Sequence, residues 1–305
     1  MRVDAHQHLW GEGLVEALRR RDAPPFGRLT ATALDLHIAG EQPSTIDLAG
    51  DRPARRSALL ERDGVDRAIV AISSPIGIEA LPRSEAQPLL DAHLADALAL
   101  GDRFAAWGPI ALDEADPHDV DAVLARGAIG ISLPAGALAR PGLVEALDPV
   151  LERVAQVGAP LFVHPGPGLS TRAPDTATGD PAWWPALAGY VSQMQAAWLS
   201  LTIARRGAHP RLRVVYAMLA GLAPLLAERL AARGGPPVQR DPLTFYETSS
   251  FGPAALAAMA AVVGEESLLY GSDRPVVEPP PAPAALAERG AWLLAGRGRP
   301  SATMR

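Results

Sequence analysis

Two histidines one residue apart, His6 and His8, close the opening stretch Val3-Asp4-Ala5-His6-Gln7-His8. On a β-strand, residues i and i+2 point to the same side, so a strand here projects both imidazoles together. Neutral imidazole is a common ligand for zinc and related ions, and two on one face supply half of a tetrahedral site. Taken alone, such a pair is more often a turn cap beside a solvated ring. Two later residues bear on the choice: His164, which follows Leu161-Phe162-Val163, and Asp273, in Leu269-Tyr-Gly-Ser-Asp273-Arg-Pro275. The 305 residues contain no cysteine, which excludes disulfides and thiolate sites and leaves His, Asp and Glu to carry any metal.

The elements that must position these residues read as strands alternating with helices. Strand patterns cover 2–5, 67–72, 104–112, 130–133, 160–164, 212–218, 244–248 and 267–271. Several are short, nearly all-apolar runs such as Arg67-Ala-Ile-Val-Ala-Ile72, the pattern of strands buried on both faces of a parallel sheet. Helical patterns separate them, at 55–63 before a capping Gly64, then at 87–100, 117–126, 143–157, 191–206, 223–233 and 253–263. After a short helix at 14–20, the Pro- and Gly-punctuated region to Pro53 reads as a long loop with short helical pieces. Eight strands separated by helices predict an α/β fold, a (β/α)8 TIM barrel. A doubly wound sheet would carry a Gly-rich phosphate loop after its first strand, and His6-Gln7-His8-Leu9-Trp10 is not one. The expected organisation is one barrel domain over 1–305, with a lid-like insertion at about 165–190 rich in Pro, Gly and Trp.

Barrel chemistry collects at the C-terminal ends of the strands. His6 and His8 end the first strand, His164 ends the fifth, and Asp273 lies just past the eighth. Three imidazoles and a carboxylate should therefore meet at one mouth, a donor set suited to zinc, with manganese or iron as alternatives. Asp273 is the candidate to ligate the ion, accept a proton, or do each at a different stage. His37, His93 and His118 read as surface residues, and His209 falls at the opposite end of the barrel.

These residues resemble the amidohydrolase superfamily, in particular its decarboxylase-like branch, often labelled amidohydrolase-related. The matching motifs are Asp4-Ala-His6-Gln-His8, Phe162-Val-His164-Pro165 and Tyr270-Gly-Ser-Asp273-Arg-Pro275. His209-Pro-Arg-Leu-Arg-Val-Val215 is similar to that family's lead into its sixth strand, so the likeness runs from residue 2 to about 277. The resemblance implies a mononuclear metal held by His6, His8, His164 and Asp273. It also implies hydrolysis of amides, lactones or related bonds, or removal of carboxylate from small, often aromatic acids. One departure stands out: where the family usually closes strand six with a histidine, this chain reads Tyr216-Ala-Met218-Leu-Ala-Gly221. A thioether can neither take a proton near neutral pH nor donate a hydrogen bond.

The expected function is a metal-dependent hydrolase of a small cyclic amide, lactone or acyl substrate, in which an activated water attacks and Asp273 takes its proton. A non-oxidative decarboxylase on the same site is the second reading. A catalytically silent, ligand-binding barrel is the third, and the Met218 departure is its support. Trp183 and Trp184 are placed to pack on a flat substrate, and Arg172 or Arg274 to pair with a carboxylate; fillers of a lid and solvated cations are the plainer readings. Met218 is expected to border the substrate, and Glu247, at the end of strand seven, to point either into the site or to the surface. A content of 48% hydrophobic and 20% charged residues describes a globular, soluble chain. The longest apolar run, residues 254–263, is too short to span a bilayer. The opening residues carry no apolar export segment, so a cytoplasmic location is expected. A net charge of -6 disfavours nucleic acid and anionic membranes as partners. The sequence points to a small-molecule substrate and allows a homodimer without specifying one.

Overall fold

The computed structural model describes residues 1–31, 33–40, 43–170, 180–181 and 183–295. Strand β1 (Val3–His8) leads into α1 (Glu12–Arg19), which buries Leu14, Val15 and Leu18. Three short antiparallel strands follow: β2 (Phe26–Leu29), β3 (Ala33–His37) and β4 (Ser44–Asp47). Helix α2 (Pro53–Asp63) ends on Gly64 in the left-handed conformation (φ 69°), where the chain turns into β5 (Arg67–Ala71). Helix and strand then alternate as α3 (Arg83–Ala99), β6 (Phe104–Pro109), α4 (Pro117–Ala125), β7 (Gly130–Pro134), α5 (Pro141–Ala146), α6 (Asp148–Gln156) and β8 (Pro160–His164). The last part comprises α7 (Tyr190–Trp198), β9 (Arg213–Tyr216), α8 (Ala227–Ala232), β10 (Thr244–Glu247), α9 (Pro253–Val263), β11 (Leu268–Leu269) and α10 (Ala284–Arg289).

The parallel strands stand in the order β1-β5-β6-β7-β8-β9-β10-β11. Three backbone bonds join β1 to the segment that continues β11: Ala5 N–H donates to the Tyr270 carbonyl at 2.9 Å, His8 N–H to that of Arg274 at 2.6 Å, and Asp273 N–H to that of His6 at 3.0 Å. The fold is a closed (β/α)8 barrel, as the alternating pattern predicts. Every residue of β1, β6, β7 and β8 is buried; β6, β7 and β8 accordingly read as largely apolar runs, while β1 buries Asp4, His6, Gln7 and His8. Among the described residues no helix is long and apolar enough to cross a membrane.

Residues 26–47 correct the expectation of a loop. Their strands are four or five residues long and interrupted by turns, too short for a pattern to stand out. Only β3 carries a clear signal, burying Leu34 and Leu36 while Ala33, Asp35 and His37 stay half-exposed. They pack with α1, α3 and Trp10 into a second apolar cluster beside the main core.

The register of β1 has an irregularity that matters for the site. Asp4 pairs with Ala68 and Gln7 with Val70, so β1 spends one residue more than β5 between the two pairings: a β-bulge at Ala5 and His6. A bulge frees backbone groups, and buried ones need partners. His6 N–H donates to Asp4 Oδ1 at 3.1 Å, the Ala5 carbonyl accepts the Trp107 indole N–H at 2.9 Å, and the His6 carbonyl accepts Asp273 N–H at 3.0 Å. Trp107 is fully buried and stacks on Phe162 with centroids 5.0 Å apart. Trp107→Phe keeps a stacking ring but strands the Ala5 carbonyl, so it should cost about 1–3 kcal/mol in urea unfolding. A loss no larger than that of an exposed substitution would show that the indole N–H does not hold the bulge.

Candidate metal centre

Four side chains from three strand ends meet at the mouth of the barrel. The ligand atoms of His6, His8, His164 and Asp273 all lie within 4.8 Å of one another. The three imidazoles stand nearly edge-on to each other, with centroids 4.7 to 4.9 Å apart. Phe162, two residues before His164 on β8, sets its edge against the His6 ring at 5.1 Å and forms the apolar floor. Asp273 Oδ1 approaches His8 Nε2 at 3.1 Å and His6 Nε2 at 3.5 Å.

The rings are held from behind. His6 Nδ1 lies 2.9 Å from Glu247 Oε2, His8 Nδ1 3.0 Å from the Ala71 carbonyl, and His164 Nδ1 2.8 Å from the Pro165 carbonyl. Each partner is an acceptor, so each Nδ1 carries the proton and each Nε2 lone pair is free to face inward. His6 Nε2 and His8 Nε2 are then only 3.1 Å apart, lone pair toward lone pair. That arrangement is repulsive without a proton or a cation between them. The donor set therefore fits one divalent ion, with outer hydrogen bonds of the kind that orient metal-binding imidazoles.

Without an ion the cluster is electrostatically uneven. Burial pulls the His6 pKa down, but the neighbouring Glu247, Asp273 and Asp4 carboxylates outweigh it and leave it raised. Burial pulls His164 well below the ordinary histidine range, and His6 and His8 add to this. For Asp273, burial raises the pKa, yet the hydrogen bond with His8 and the nearness of both histidines hold it below the usual carboxylate value. The neutral His164 and the ionised Asp273 suit an incoming cation, which would have to displace the proton that the carboxylates favour on His6.

Glu247 is the residue whose part in the site the sequence left open. It is fully buried at the end of β10 and gathers four donors: His6 Nδ1, the Ser249 hydroxyl at 2.9 Å, the Ser249 N–H, and Met218 N–H at 3.3 Å. An acidic residue closing a buried barrel strand was the available signal.

The other expected site residues fall differently. Met218 is half-buried at the end of β9, and its N–H reaches Glu247. Arg274, expected to pair with a substrate carboxylate, instead commits its guanidinium to Asp63 (Nε to Oδ2, 2.6 Å) and Glu278 (Nη1 to Oε2, 2.7 Å). Arg274 is buried, and these two carboxylates take up its guanidinium nitrogens. Trp183 and Trp184 are 56% and 45% exposed, with tilted rings 5.9 Å apart, and meet none of the four ligands. Arg172 lies outside the described residues, as does the centre of the expected lid, 171–179. His209 is buried and bonded through Nε2 to Asp148 at 2.8 Å, remote from the mouth.

His93 is also a correction. Expected at the surface, it is fully buried on α3, and among the described residues neither ring nitrogen has a hydrogen-bond partner. Burial, aided by His8, lowers its pKa to about 3 from 6.5, so it stays neutral in the folded chain.

A barrel with a His3Asp cluster at the C-terminal ends of its strands defines the class: a (β/α)8 fold with a candidate metal centre at its mouth. No family model and no curated protein sequence matches the chain. Solved structures do. IDCase from Metarhizium anisopliae in its apo form superposes with a TM-score of 0.72 at 18% identity, over 97% of this chain and 91% of that one. The 5-carboxyvanillate decarboxylase of Sphingomonas paucimobilis gives 0.69 at 19% identity, over 96% and 98%. The corresponding enzyme of Novosphingobium aromaticivorans, complexed with manganese and 4-hydroxy-3-methoxy-5-nitrobenzoic acid, gives 0.66 at 19% identity, over 100% and 91%. The neighbours belong to the decarboxylase-like branch of the amidohydrolase superfamily that the motifs resemble, and at this identity the likeness establishes the shared fold.

Two outcomes are expected. Glu247→Gln keeps an acceptor for His6 but removes the charge, and should weaken manganese or zinc binding by about tenfold or more in titration calorimetry. Unchanged affinity would remove Glu247 from the centre. For His93, the unfolded chain takes up a proton below about 6.5 and the folded chain does not, so stability should fall as pH drops from 6.5 toward 3. His93→Leu should flatten that part of the Tm-against-pH curve, and an unaltered slope would contradict the assignment.

Proposed function

We propose that this chain is a metal-dependent lyase that removes carboxylate as CO2 from a small, flat carboxylic acid, aromatic acids being the favoured class. One divalent ion, zinc or manganese, is held by His6, His8, His164 and Asp273. The observation that carries the reading is the Asp273 carboxylate set beside three buried imidazoles at the mouth of a barrel that shares its fold with carboxyvanillate decarboxylases.

When bound, the ion supplies a Lewis acid that draws charge onto substrate oxygen. The chain's own residues must then handle protons. Decarboxylation replaces a C–COO− bond by C–H and releases CO2, so it asks for one proton delivered to one carbon. Asp273 can hold that proton: its side chain is 15% exposed, while those of His6 and His8 are 1% and 2% exposed, so it faces the substrate side. Hydrolysis asks for more, a base for the attacking water and an acid for the leaving group, commonly two groups or one shuttling between both tasks. Met218 offers neither. Asp273 would have to move protons alone in either reaction, so Met218 does not separate the two; the likeness to carboxyvanillate decarboxylases is what supports placing the decarboxylase first. The exposed Trp183 and Trp184 remain available to cover a flat ring at the mouth, within a lid at 165–190.

The test is a panel of aromatic carboxylic acids given to manganese- or zinc-loaded protein in deuterated, ¹⁸O-labelled water. The expected result is CO2 release, with deuterium at the vacated carbon and no ¹⁸O in the organic product. Oxygen-18 in the product without CO2 would return the hydrolase to first place. Asp273→Asn should lower the rate by about 100-fold or more, and a variant with full rate and full metal content would take Asp273 out of both roles.

A further inference from the structure

Gln7 sits between two of the four ligands, yet its side chain turns away from them. Because of the bulge, Asp4 and Gln7 register on one side of β1 while His6 and His8 share the other. Gln7 Nε2 donates to Asp4 Oδ2 at 2.7 Å, and Gln7 Oε1 accepts from Arg56 Nη2 on α2 at 2.7 Å. Arg56 is 1% exposed and also reaches Asp51 Oδ1 at 3.4 Å. At the other end, Asp4 Oδ1 accepts His6 N–H at 3.1 Å and Ser272 N–H at 3.0 Å. Ser272 immediately precedes Asp273. A buried chain of polar groups thus runs from a helix outside the barrel to the backbone carrying three of the four ligands.

A fully buried guanidinium is costly and is rarely found without a specific partner. Here its shortest bond is to a neutral amide rather than to Asp51, so its effect falls on the strand that carries the histidines. We propose that Arg56 and Gln7 are positioning residues for the metal centre, acting through Asp4 to set how tightly the ion is held. This rests on the metal reading above. Ligand positions must hold to within about 0.5 Å for tight coordination. A bulged strand has fewer ladder bonds to supply that accuracy, and the Gln7 amide replaces what the bulge removes.

The experiment compares manganese and zinc affinities by titration calorimetry with the Tm of each metal-free protein. Gln7→Met preserves size and removes both hydrogen bonds; it should weaken metal binding by about 10- to 100-fold. Leu151→Ala, in the buried face of α6, should lose stability by an ordinary cavity effect and leave metal affinity unchanged. Combining Gln7→Met with Arg56→Met should weaken binding no further than Gln7→Met alone, because the two act along one chain. Should Gln7→Met fail to fold, Arg56→Lys keeps the charge beside Asp51 while shortening the reach to Gln7, and a smaller loss of the same kind is expected. Unchanged affinity in these variants, or a loss matched by Leu151→Ala, overturns this inference alone. A wild-type protein that binds neither ion overturns the metal reading and this inference with it.

Discussion

One extra residue in β1 governs the architecture of the mouth. A regular strand would pair on β5 without interruption and place Asp4 on the same side as His6 and His8, since side chains alternate with period two. The bulge changes that parity, setting two imidazoles on one side and Asp4 with Gln7 on the other. Each backbone group it releases then recruits a different part of the chain. The indole of β6 takes the Ala5 carbonyl, the backbone of Asp273 takes the His6 carbonyl, and Asp4 takes the His6 N–H. The barrel closes and the ligands align through the same few bonds, so closure and site are one construction.

The second consequence is electrostatic. Glu247, Asp4 and Asp273 crowd around His6 in a region almost without solvent. Burial alone would discharge these groups, and Asp4 feels it, its pKa raised by burial to about 6 despite hydrogen bonds from Ser272, Gln7 and His6. Arg56 supplies a positive charge on the outer side, and a divalent ion would supply the other inside. The cluster is thus short of positive charge at its centre, and the inward lone pairs say where that charge belongs.

Much of this was legible in the sequence, for physical reasons. Strands buried on both faces announce themselves as apolar runs, and polar residues at strand ends sit where those runs stop, so the barrel and the convergence of His6, His8, His164 and Asp273 at its mouth could be read directly. Three kinds of information could not. The bulge is a matter of pairing register, which only the partner strand decides. Arg274 and His93 look exposed by residue type, yet tertiary packing buries the first among carboxylates and the second without a hydrogen-bond partner among the described residues. The small sheet at 26–47 consists of strands too short to carry a period.

The segment after β9 resolves an apparent conflict between an intact ligand set and a missing histidine. Residues 218–222 all adopt left-handed backbone angles, with φ between 51° and 62°. This costs on the order of 1–2 kcal/mol for each residue with a side chain, and only Gly221 escapes the penalty. That glycine is needed for a second reason: a Cβ there would lie 2.6 Å from the Val191 carbonyl, where α7 presses on the turn. Gln195 of α7 also donates to the Gly221 carbonyl at 2.8 Å, so that helix clamps the strained turn from outside. What the turn delivers inward is the Met218 N–H, aimed at the carboxylate that orients His6. The structural duty of this position is thus met by its backbone, whatever side chain it bears. An imidazole could therefore be absent from position 218 without disturbing His6, His8, His164 and Asp273, while its capacity to move protons is lost with it.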